Sequence, residues 1–132
     1  MIATTRRQAL MGALAFPALS SLPDLQSKIG TVLVHDPELE AGRRLARQAA
    51  GCLAIEGDRI RFAQALFARR PALVVGITRP ADAHLIADVG REHGYVLSRP
   101  PRGGLRNLIA DSGDRGAVLA WALAPGRRLP KL

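Results

Sequence analysis

A histidine and an aspartate, His35-Asp36, directly follow the β-branched run TVLV at 31–34. An imidazole that exchanges a proton near neutral pH, beside a carboxylate able to orient it, is the smallest acid/base pair that could serve a hydrolase. A different chemistry is written further along. Thr78-Arg79 follows the apolar run ALVVGI at 72–77, and Arg99 and Arg102 follow YVLS on either side of a Pro-Pro step. Guanidinium groups present forked donors to carboxylate or phosphate oxygens. Thr78, Arg79, Arg99 and Arg102 are therefore a candidate site for a small anion. Pro100-Pro101 stiffens that loop, and Gly103-Gly104 lets backbone approach a ligand closely.

Each residue also has a plain structural use. Asp36 precedes Pro37, Glu38 and Glu40, which is how a capped helix start is written, and Asp58 reads the same way before the second helix. Thr78-Arg79-Pro80 is likewise a helix start. The chain has no G-x-S-x-G elbow, no phosphate loop, no G-x-G-x-x-G after its first strand and no C-x-x-C. A phosphoacceptor would need an acid at the end of the third strand, where Gly76-Ile77-Thr78 stands. His84 and His93 are nine residues apart on one helix, which turns them about 180° from each other, so they cannot chelate a metal together. Cys52 is alone, so no intrachain disulfide forms; flanked by Gly51 and Leu53, it reads as a small buried residue. The sequence points to no metal and leaves any cofactor unknown.

The elements that must position these groups come from hydrophobic periodicity. Residues 31–34 are a strand, and Leu39, Leu45, Ala46 and Ala49 stripe a helix after it. Cys52-Leu53-Ala54-Ile55 is a second strand, with Ile60, Ala63, Leu66 and Phe67 on the apolar side of a second helix that Arg70-Pro71 stops. Residues 72–77 form a continuously apolar third strand, of the kind covered on both faces. The helix from Pro80 to His93 follows, closed by Gly94, and 95–98 is a fourth strand. Residues 105–110 fit either a short helix or a strand, and Ala117–Leu123 reads as a last strand, so a hairpin between these two is an alternative.

Strands alternating with helices of ten to fifteen residues call for βαβ units. The expected fold is a small three-layer αβα domain, flavodoxin-like or Rossmann-like, with a mainly parallel sheet of four to five strands in the order 2-1-3-4. Such sheets bind ligands beyond the carboxyl ends of their strands, where His35, Asp36, Thr78, Arg79, Arg99 and Arg102 all fall.

Ahead of this domain lies TRRQALMGALAFPALSSL. Its apolar run has no polar face, is broken by Pro17, is too short to span a bilayer and is followed by small residues, the plan of an export signal. Thr5-Arg6-Arg7-Gln8-Ala9-Leu10 resembles the twin-arginine translocation signal: Arg6 and Arg7 match its paired arginines, Thr5 and Leu10 its flanks, while Ala9 and Met11 depart from its usual Phe and Lys. The resemblance covers the leader alone. It implies recognition by the twin-arginine export machinery and delivery of a folded protein to the bacterial periplasm, with no stable membrane span after cleavage. The expected organisation is a signal peptide at 1–20, one domain at 28–124 and a basic tail at 125–132.

Charge adds a last constraint. The chain carries 19 Lys and Arg against 11 Asp and Glu, and from Arg99 onward seven bases face only Asp111 and Asp114. That excess suits an anionic ligand or an acidic, co-exported partner. Export and the few aromatic residues argue against nucleic acid. The sequence thus leads to an exported binding or accessory protein with an anion site, or alternatively to a small hydrolase-like enzyme working through His35 and Asp36.

Overall fold

The computed structural model describes residues 30–101, 104–114 and 116–126. Five strands alternate with four helices: β1 (Thr31–His35), α1 (Glu40–Gln48), β2 (Leu53–Ala54), α2 (Arg59–Ala68), β3 (Leu73–Thr78), α3 (Pro80–Glu92), β4 (Tyr95–Ser98), α4 (Gly104–Ala110) and β5 (Leu119–Pro125). Local chemistry sets several boundaries. Asp58 caps α2 by accepting the N–H groups of Ile60 and Arg61 at 2.8 and 3.2 Å. Pro80 opens α3, and Gly94, at φ +86°, takes the left-handed turn that follows it.

The strands form one mixed sheet in the order β2-β1-β3-β5-β4. β1 pairs in parallel with β2 and β3, whereas β5 pairs antiparallel with both β3 and β4. Four strands therefore point one way and β5 alone runs back between them. The expected order 2-1-3-4 is correct as far as β3 and wrong beyond it, because β5 separates β3 from β4. The hairpin alternative is also excluded, since Gly104–Ala110 is helical. β5 extends past Leu123 to Pro125, which pairs with Tyr95, and the Gly126 N–H donates to the Gly94 carbonyl at 2.7 Å. Pro125 thus belongs to the sheet rather than to a tail, and Gly126 is tied to the turn before β4.

Alternation along the strands divides the core in two. Val34, Val74, Trp121 and Leu123 face α2 and α3, packing on Leu66, Phe67 and Ile86. Leu33, Val75, Ile77 and Ala122 face α1 and α4, packing on Leu45, Leu105 and Leu108. The result is a three-layer αβα domain of flavodoxin-like or Rossmann-like build, with β3 at its centre and every residue of β3 after Leu73 buried. Gly76 is required there: it pairs with Trp121, and a methyl group at 76 would collide with the indole ring. Among the described residues no helix is long and apolar enough to cross a membrane.

Candidate functional site

Parallel pairing of β1 with β3 brings His35 level with Ile77, so the residues that follow each strand meet at one edge. His35 is only 7% exposed. Its Nδ1 lies 3.2 Å from the Cys52 sulfur. Burial lowers the His35 pKa, and a backbone hydrogen bond at Leu53 with the charges of Asp36 and Glu56 offsets this only in part. Burial also pushes the Cys52 thiol up to about 12. The pair is a neutral imidazole against a neutral thiol, not the activated thiolate of a nucleophilic site.

Asp36 is fully buried. Its Oδ1 accepts the Glu38 N–H at 2.9 Å and its carbonyl accepts the Leu39 N–H at 3.1 Å. These bonds build the turn before α1 rather than cap the helix; the expected capping role belongs to Asp114, which accepts the first two helical N–H groups from the far end of the chain. Oδ2 of Asp36 has no hydrogen-bond partner among the described residues, and lies 3.5 Å from Nη1 of Arg79.

Arg79 itself is about half exposed, with Nη1 also 3.4 Å from Oε1 of Glu38. One guanidinium thus meets two carboxylates at the head of α3. The neighbouring Thr78 is buried, its hydroxyl donating to the Arg79 carbonyl and accepting from Trp121 Nε1, each at 2.9 Å. Both capacities of that hydroxyl are used inside the fold.

Arg99 stands apart. Thr78 pairs with Leu119 and Ser98 with Ala122, so β4 ends three positions short of β3, with β5 between them. Arg99 lines an open cleft of about 1060 Å³ together with Pro100, Pro101, Leu105, Arg106 and Ile109 from the loop and α4, and Ala120 from β5. Among the described residues neither Arg99 nor Arg106 has an acidic side chain within ion-pair distance. Arg102 lies outside the described residues. The four expected anion-site residues are therefore not one cluster: Thr78 and Arg79 belong to the β1–β3 edge, and Arg99 to the β4–α4 cleft. Sequence reasoning missed Arg106, although Leu105, Leu108 and Ile109 carry the i, i+3, i+4 signal of a helix whose next residue would stand beside the loop.

No protein-family model, no curated protein and no solved structure matches this chain.

Proposed function

We propose that this chain is an exported, non-catalytic binding or accessory protein of the bacterial periplasm, with a small-anion site at the carboxyl edge of its sheet. The observation that carries the non-catalytic reading is the state of His35 and Asp36. A general base must reach the proton it removes, whereas His35 is buried against Cys52 and Asp36 is buried in a turn. Arg79 at that edge, with Arg99 and Arg106 on the separate cleft, supplies the complementary half of the reading, since guanidinium groups favour carboxylate and phosphate ligands. Thr5-Arg6-Arg7 supports delivery through the twin-arginine machinery.

The test is a thermal-shift panel of phosphate, sulfate and organic carboxylates at millimolar concentration, followed by recovery of each stabilising compound. A ligand that binds only the folded state raises the melting temperature by mass action. At least one anion is expected to do so and to be recovered chemically unchanged. Hydrolysis of an ester or phosphoester by the protein, lost in His35→Ala, would replace this reading with the hydrolase.

A further inference from the structure

Resting on that binding reading, we propose that the ligand site is the cleft bounded by the loop after β4, by α4 and by Ala120 of β5, and that its ligand is an amphiphilic anion: a carboxylate or comparable acidic head on an apolar chain. Three observations converge on this chemistry. Arg99 and Arg106 both open on the cleft and, unlike Arg79, meet no carboxylate among the described residues. A bound anion would supply the partner that the fold gives to Arg79 but not to them.

The remaining wall is apolar. Pro100, Pro101 and Ile109 line it, Leu105 backs it from the core, and Ala120 leaves room above the sheet because its side chain is a single methyl. An inorganic anion would touch the arginines and leave this surface wet; a neutral hydrocarbon would cover the wall and leave two guanidinium groups unmatched. Only a molecule with both parts uses the whole site. At about 1060 Å³ the cleft is far larger than a lone phosphate and reaches the upper end of ordinary small-molecule sites.

The experiment titrates the full chain with octanoate below its micelle concentration, and in parallel with octanamide and with inorganic phosphate, reading melting temperature and affinity. Octanoate should stabilise more than either control. Arg99→Gln and Arg106→Gln should each weaken octanoate about tenfold or more, as expected for loss of a charged hydrogen bond. Ala120→Phe should crowd the cleft and abolish the effect, while Arg61→Gln, on the exposed side of α2, should leave it intact. Because the two arginines are surface residues, their variants keep the test readable even if Ala120→Phe does not fold.

Phosphate stabilising as well as octanoate, with the effect lost in Arg79→Ala alone, would overturn the cleft and leave the binding reading standing. No shift with any anion would overturn both. A chain that sediments with phosphatidylglycerol vesicles yet ignores free octanoate would replace the cleft with recognition of a lipid surface.

Discussion

Asp114 and Glu40, seventy-four residues apart, bind each other's backbone surroundings reciprocally: Asp114 accepts the Glu40 N–H at 2.6 Å and the Ala41 N–H at 3.0 Å, while the Glu40 carboxylate accepts the Gly113 N–H at 2.7 Å. Orphan donors at the start of α1 are thereby satisfied from the loop before β5. Replacing Asp114 with Ala should cost about 1 kcal/mol, the usual worth of a cap, and lower the melting temperature by a few degrees.

The same exchange makes stability depend on acid. The Gly113 N–H, then Arg44, holds the Glu40 carboxyl below its ordinary range. Asp114 is pushed up by burial, but the N–H groups of Ala41 and Glu40, with Ser112 and Arg43, outweigh that and leave it lowered. A carboxyl whose folded pKa is depressed contributes fully above its unfolded pKa and loses that contribution as pH falls through the folded value. Melting temperature should therefore drop below about pH 4, and the drop should be shallower in Asp114→Asn. Equal acid sensitivity in both proteins would remove this pair from the account.

Histidine titration sets a second and higher window. The folded pKa of His35 is lowered, so the unfolded chain takes up the proton first and stability declines as pH falls through about 6.5 toward the folded value. His35→Gln should flatten the profile between pH 7 and 5. Cys52 offers a companion measurement: with its thiol pushed up to about 12, alkylation of the native protein at pH 8 should be slower than that of the unfolded chain by on the order of a thousandfold. Rapid native labelling would show that the thiol is open to solvent.

Gly76 and Trp121 test the packing of the central strands. Gly76→Ala forces a methyl group into the indole ring and should destabilise by about 1–3 kcal/mol. Trp121 is the sole tryptophan and is buried, so its emission should be blue-shifted in the native state and move red in one cooperative transition. Trp121→Phe keeps most of the ring but leaves the Thr78 hydroxyl without its donor. It should cost about 1 kcal/mol, as read by denaturant melts.

Export is tested on the leader. Changing Arg6 and Arg7 to Lys keeps the charge while removing the guanidinium pair, so cell fractionation should find the full-length variant in the cytoplasm. Unaltered periplasmic delivery would end the twin-arginine assignment.

The parts of the fold legible in the sequence are those that carry their own pattern. Continuous apolar runs gave β1 and β3, and helical stripes gave α1 to α3, because each is decided by residues within a few positions of one another. The direction of β5 is different, since Ala-Trp-Ala-Leu reads the same either way along the sheet. What decides it is its two partners, β3 and β4, both of which it pairs antiparallel and both of which lie outside its own local pattern. At the candidate site, the position of Arg79 was legible but its pairing was not. Glu38 lies forty-one residues away and meets Arg79 only because β1 and β3 are neighbours. Asp114 gave no local sign at all of serving α1.

Among the described residues β4 has one neighbour in the sheet, and that neighbour is the last strand in sequence. During synthesis from the N-terminus, β4 leaves the ribosome with nothing to pair with until residues 119–125 follow it. The first three strands can assemble earlier, but the β4–α4 region acquires its backing only once β5 has been made. A nascent or truncated product lacking β5 would expose Val75 and Ile77 on one side and Val74 on the other along an unpaired edge, a template for aggregation. Synthesis through Pro125 is thus a condition for the whole sheet, and a chain cut short before β5 should yield an insoluble product.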